Sequence, residues 1–132
     1  MRVIDASAWI DLSLGRASGA VRDALSASGE WFVPEHFRLE AFNAIRGVWL
    51  GNKIDDVQFA FHTGELASQA FEVWPTAPLF PRIRELSRNA TAYDAAYLAL
   101  AEELGCPLVT ADAKFARVPG IRCRVLGAEP DS

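Results

Sequence analysis

Apolar and polar positions alternate along the chain in blocks of two kinds. Short runs rich in β-branched or aromatic residues read as strands: Arg2-Val3-Ile4, Trp31-Phe32-Val33, Phe71-Glu72-Val73-Trp74, Pro107-Leu108-Val109-Thr110 and Arg122-Cys123-Arg124-Val125-Leu126. Pro34 and Pro75 close the second and third runs. Between them, apolar residues recur at helical spacing. Trp9, Ile10, Leu12 and Leu14 predict a short helix stopped near Gly15, with Ser7 as its N-cap. Ser18 to Ser28 is a second helix, with Val21, Ala24 and Leu25 on one face and Arg22 and Asp23 off it. A third runs from His36 to Leu50 on the stripe Phe37, Ala41, Ala44, Ile45 and Val48, and ends at Gly51-Asn52. Asp55 caps a fourth, to about Ala70. Pro78 and Pro81 suit the first turn of a fifth, ending near Asn89. Thr91 opens the most regular helix, which Gly105 stops. A short helical turn from Asp112 through Phe115 precedes the last strand.

Strands that alternate with helices predict an α/β fold: a parallel sheet covered on both faces. Residues 1–127 are expected to form one domain, with a frayed tail at 128–132. A chain of 132 residues can bury a real core. With 51% hydrophobic and 23% charged residues it reads as globular and not disordered. No apolar run is long enough to cross a bilayer, and Asp5 and Asp11 interrupt any secretory pattern, so a cytoplasmic protein is expected. Cys106 and Cys123 are then expected to be reduced. A net charge of −4 argues against a large basic nucleic-acid surface, but not against an enzyme that holds phosphate through a cation.

Four carboxylates occupy special places. Asp5 ends the first strand, where α/β proteins gather ligands. Glu40 shares a helix face with Asn43, Asp94 lies in the first turn of the Ala-rich helix, and Asp112 follows the strand ending at Thr110. If the first and fourth strands are neighbours, Asp5 and Asp112 end side by side. Converging carboxylates repel, and a divalent cation removes the conflict. Oxygen ligands without histidine at metal spacing favour Mg²⁺ or Mn²⁺ over Zn²⁺, a site suited to phosphodiester hydrolysis. Each residue also has a plainer role. Asp94 can answer the helix dipole, Asp112 can cap a turn, and Glu40 and Asn43 can be solvated.

In order along the chain, Val3-Ile4-Asp5-Ala6-Ser7, Glu40-x-x-Asn43, Tyr93-Asp94-Ala95-x-Tyr97-Leu98-Ala99-Leu100-Ala101 and Leu108-Val109-Thr110-Ala111-Asp112-x-x-Phe115 resemble the PIN-domain ribonucleases, specifically the VapC-type toxins of bacterial toxin–antitoxin pairs. The resemblance implies a three-layer α/β/α fold with a mostly parallel five-stranded sheet of order 3-2-1-4-5. It implies a Mg²⁺- or Mn²⁺-dependent endoribonuclease, with RNA as substrate, a VapB-type antitoxin as partner and a homodimer as assembly. By similarity, Asp5, Glu40, Asp94 and Asp112 bind metal and carry catalysis. Ser7, Asn43 and Thr110 orient the carboxylates and water or touch substrate. By the same analogy, water attacks phosphorus in line and leaves a 5′-phosphate. The chain departs from some relatives at Lys114, where they carry an acidic residue. Lys114 is expected to weaken a second metal site, and is read as solvated or as a phosphate contact.

Among the remaining residues, Arg38, Arg46, Arg82, Arg84 and Arg88 are candidates to guide RNA. Trp9, Trp49, Phe59 and Phe61 belong to the core by default, but the resemblance implies a dimer or antitoxin surface on the first, third and fourth helices. His36 and His62 stand too far from other ligand types to bind metal. Two rival readings remain: a catalytically silent PIN-like protein- or RNA-binding module, and an aspartyl-phosphate enzyme with Asp5 as nucleophile. The second lacks the Asp usually found two residues after the first, since Ser7 stands there.

Overall fold

The computed structural model describes residues 1–27 and 29–128. Ser28, the expected end of the second helix, and residues 129–132 of the expected tail lie outside the described residues.

Five strands form one sheet: β1 (Arg2–Ile4), β2 (Trp31–Pro34), β3 (Glu72–Trp74), β4 (Leu108–Val109) and β5 (Val125–Leu126). Their order is β3-β2-β1-β4-β5, and every pairing is parallel. Parallel neighbours need crossovers, and helices supply them. α1 (Ala6–Ser13) and α2 (Gly19–Ser26) link β1 to β2, and α3 (Phe37–Leu50) and α4 (Asp56–Ser68) link β2 to β3. A 3₁₀ turn at Ala77–Leu79, α5 (Phe80–Leu86) and α6 (Ala92–Leu104) lead into β4. The β4–β5 link carries a 3₁₀ turn at Ala113–Arg117.

The chain builds outward from β1 in one direction, then returns to its other side with β4. Order therefore reverses between β1 and β4, and a crevice opens there outside the carboxyl ends of the strands. Val3 and Ile4 pair with Leu108 and Val109, and all four are fully buried. Helix α6 shows why its sequence is apolar nearly all round: Ala95 through Ala101 are buried without a break. Its alanines allow close approach to the sheet.

Local corrections to the sequence expectations have simple causes. β4 and β5 are shorter than the runs that predict them, because strand length follows the pairing available, not β-propensity alone. The prolines at 78 and 81 divide the fifth helical segment into the 3₁₀ turn and α5. On α3, Phe37, Ala41 and Ile45 are buried, whereas Ala44 is exposed and Val48 only partly covered. Asp55 closes a full capping box with Gln58, and Gly105 ends α6 in the left-handed region at φ 64°. After β5, Gly127 has φ 101°, and a Cβ there would lie 2.5 Å from the Thr110 carbonyl oxygen. Only glycine lets the chain pass so close to β4. Cys106 and Cys123 are both free thiols. Among the described residues, no helix is long and apolar enough to cross a membrane.

Candidate active site

The site begins with register. Ile4 pairs with Val109, so the next residues, Asp5 and Thr110, face each other across the sheet. Thr110, fully buried, donates its hydroxyl to Asp5 Oδ2 at 2.8 Å. The Ala8 amide donates to Asp5 Oδ1 at 3.0 Å. Asp5, and not Ser7, is thus the N-cap of α1. The strand ends a residue before the helix begins, and the carboxylate in that gap reaches the amide first.

Ser7 sits inside the first turn and points back. Its Oγ lies 2.9 Å from both oxygens of Asp5 and accepts the Ala111 amide at 3.0 Å. Thr110 Oγ1 in turn accepts the Asp112 amide at 2.9 Å. Two hydroxyls thereby tie the Asp5 carboxylate to the loop that carries Asp112. Burial lifts the Asp5 carboxyl from 3.8 to about 6, against the pull of these hydrogen bonds, and the charge of Glu40 adds to the lift.

Glu40 comes from α3, and Tyr97 of α6 donates its phenol to Glu40 Oε1 at 2.9 Å. Burial pushes the Tyr97 phenol well above its usual range, with the charge of Glu40 adding to it, so it remains a donor. Tyr97 is the residue to which the sequence assigns no role beyond its place in a motif. The signal was there: it lies three positions after Asp94, on the same helix face. His36 packs against both rings, at 5.6 Å from Tyr93 and 5.0 Å from Tyr97, with Nε2 3.8 Å from Glu40 Oε2. Burial holds its pKa below the ordinary value, against the pull of Glu40. His62 is structural, 2.8 Å from Ser13 Oγ through Nδ1.

Asp94 and Asp112 meet through Lys114. Its ammonium lies 3.1 Å from Asp94 Oδ2 and 3.3 Å from Asp112 Oδ2. Lys114 is exposed, as expected, and the structure adds two ion pairs to it: the 3₁₀ turn that Asp112 caps swings it back over its own cap, toward α6. Asn43 is exposed one turn along α3 from Glu40.

Whether these residues suit a divalent cation is a matter of donor chemistry and spacing. The donors are all oxygens, and Asp5 is a buried carboxylate close enough to Glu40 to feel its charge, which fits a hard cation. Yet among the described residues no three acidic, histidine or cysteine side chains stand close enough to share one ion. Lys114 supplies the positive charge on the Asp94–Asp112 side. The set fits an ion in kind, and Lys114 has to yield for all four to be free.

Of the candidate RNA-guiding arginines, two have structural work. Arg82 is held by Glu102 at 2.7 Å and by the Gly120 carbonyl at 2.6 Å. Arg38 donates to the carbonyls of Leu66 and Gln69, fastening α3 to the end of α4. Arg46, Arg84 and Arg88 are exposed. Of the four aromatics, Trp9 is buried, and Trp49 stacks on Phe59 at 4.6 Å between α3 and α4. Of these only Phe61 stands well out, and Val57 on α4 and Leu50 at the end of α3 are exposed as well.

Residues 2–121 match the family model described as PIN domain. Ribonuclease VapC12 of Mycobacterium tuberculosis is 34% identical over 120 residues, covering 91% of this chain and 93% of the relative. The crystal structure of PAE2754 from Pyrobaculum aerophilum superposes with a TM-score of 0.68 at 25% identity, over 94% of this chain and 81% of the other. A toxin–antitoxin complex from Klebsiella pneumoniae has a TM-score of 0.63 at 19% identity, over 92% of this chain and 96% of the other, and so shares the fold. The order 3-2-1-4-5, the family match across most of the chain and the similarity to a VapC ribonuclease agree: the chain belongs to the PIN-domain family, on its VapC branch.

Proposed function

We propose that this endoribonuclease hydrolyses RNA phosphodiester bonds with water activated at a Mg²⁺ or Mn²⁺ site, and that it is a cytoplasmic toxin kept silent by a VapB-type antitoxin. The observation that carries the reading is the Asp5 carboxylate, buried at the switch point and pinned by Ser7, Thr110 and the Ala8 amide. As the N-cap of α1, an uncharged Ser or Asn would serve stability as well without burying a charge, so the carboxylate points to a further role.

Asp5, Glu40, Asp94 and Asp112 would hold the ion. When bound, a hard cation polarises the phosphoryl oxygen, lowers the pKa of a water and offsets charge in the transition state. The chain's own residues do the positioning. Ser7 and Thr110 fix the Asp5 oxygens, and Tyr97 fixes Glu40. Asn43, exposed on the Glu40 face of α3, would touch substrate. Water adds to phosphorus as the bond to the 3′-oxygen breaks, and the products carry a 5′-phosphate and a 3′-hydroxyl. The ribose 2′-hydroxyl takes no part.

Exposed Leu50, Val57 and Phe61 support a protein-docking face formed by α3 and α4, for a second copy and for the antitoxin. The relative named as a VapC ribonuclease and the neighbour titled as a toxin–antitoxin complex support the same biology.

The purified protein is expected to cut RNA with Mg²⁺, to stop with EDTA, and to lose activity on Asp5→Asn. Cleavage indifferent to both treatments would defeat the mechanism. The rival reading, a silent binding module, draws on Lys114 spanning Asp94 and Asp112. Calorimetric titration that shows no ion bound, with RNA still held, would favour it.

A further inference from the structure

A cleft of about 480 Å³ opens beside the acidic mouth, lined by His36, Leu39, Glu40, Phe42, Asn43 and Tyr93. Leu39 is 77% exposed and Tyr93 64% exposed, so neither contributes much to the core. Such exposed apolar surface calls for an occupant. The Tyr93 ring is backed by His36, which itself leans on Tyr97, so an aromatic platform stands on a buried support. Asn43 adds an amide, which both donates and accepts. Glu40 belongs to the cleft and lies close enough to Asp5 for its charge to act there.

We propose that this cleft receives the nucleobase of an RNA nucleotide beside the scissile phosphate, stacked on Tyr93 with its polar edge toward Asn43. The proposal rests on reading the acidic mouth as the cutting centre. A base has a flat apolar face and a hydrogen-bonding edge, and the cleft offers a partner for each. Phosphate and base of one nucleotide are separated by a ribose, so their sites must adjoin without coinciding; here Glu40 is the shared wall. Charge points the same way. An acidic chain of net charge −4 gains little from the phosphate backbone alone, whereas stacking is indifferent to charge. A protein segment could also use the apolar wall and these polar groups, and the test below includes that outcome; the adjoining acidic centre favours a nucleotide.

Two assays on the full chain separate this site from the acidic one. Binding of a short oligoribonucleotide carrying 2-aminopurine, followed by its fluorescence in EDTA, reports the cleft. Cleavage of a randomised oligoribonucleotide pool in Mg²⁺, with sequencing of the cut ends, reports the centre and any base preference beside the cut. Tyr93→Ala is expected to weaken probe binding about tenfold. The same change should raise KM about tenfold, leave kcat nearly unchanged, and flatten the base preference beside the cut. Tyr93→Phe should retain all three properties. Tyr93→Ala behaving as the native chain in both assays overturns the proposal. So does a native chain that neither binds the probe nor prefers any base beside its cut. Unchanged cleavage with a dimer dissolved by Tyr93→Ala in sedimentation would assign the cleft to a second copy and also overturn it. Probe binding that depends on Tyr93 without cleavage in Mg²⁺ would sustain the base site and sink the nuclease reading.

Discussion

Asp5 is a buried carboxylate that caps α1 and carries two hydroxyl partners. Its folded pKa of about 6 stands above the ordinary 3.8, so the folded state holds the proton more tightly than the unfolded chain. Stability that Asp5 lends is therefore present below about pH 4 and is lost as pH rises through about 6. The loss amounts to about 3 kcal/mol, on the order of 1.4 kcal/mol for each unit of pKa. His36, held below its ordinary value by burial, pulls the other way, so the difference between native and Asp5→Asn proteins is the useful reading. In EDTA, thermal melts from pH 4 to 7 should show the native protein losing ground to Asp5→Asn, and Mg²⁺ should restore it above pH 6. Parallel curves would show that the carboxylate carries no such penalty. Lys114 invites a second test. Its pairs are half exposed, so Lys114→Met should leave the melting temperature of the metal-free protein nearly unchanged. A unit charge a few ångströms from the donors is worth on the order of 1 kcal/mol or more, so Mn²⁺ should bind the variant roughly fivefold tighter or better in calorimetry. Equal affinities would mean that the ammonium does not compete. Asp5 was legible in the sequence because a carboxylate ending an apolar strand has few benign explanations. Lys114 was not, because its partner Asp94 lies on another element, and only the docking of α6 beside β4 brings them together.

Elements set the precision of the site. β1 and β4 are very short, yet one residue of slip between them would move Thr110 away from Asp5. The turn after β5 packs against the same Thr110. Gly127 packs its backbone against the Thr110 carbonyl and Val21 at a positive φ that other residues avoid. Gly127→Ala should cost about 1–3 kcal/mol from backbone strain, plus the displacement of Thr110. Chemical denaturation measures the first, and a matching fall in activity measures the second; a variant of native stability would show that the turn relaxes freely. Periodicity and turn residues revealed most elements. Caps were harder, since Asp5 and Ser7 both suit the start of α1 and only geometry decides between them. The 3₁₀ turns were also blurred, because short turns lack a repeat from which to read a period.

At the scale of the whole molecule, the family motifs foretold sheet order, and the structure shares it. The outer faces were less legible. In sequence Trp49 and Phe59 suit either the core or an interaction surface; in the fold they stack on each other between α3 and α4. Exposure is decided by which helices pair, a property no single segment contains. Phe61 and Val57 remain outside, and a homodimer through them should sediment as a monomer on Val57→Asp with Phe61→Asp. A native chain that is itself monomeric at micromolar concentration would remove the dimer from the proposal.

The bond from Thr110 to Asp5 joins residues 105 positions apart. During synthesis the Asp5 carboxylate must wait until 105 further residues have been added before its hydroxyl partner exists. A nascent or prematurely terminated product thus lacks the assembled centre. Translation itself postpones assembly of this carboxylate pocket until both ends of that span have been made.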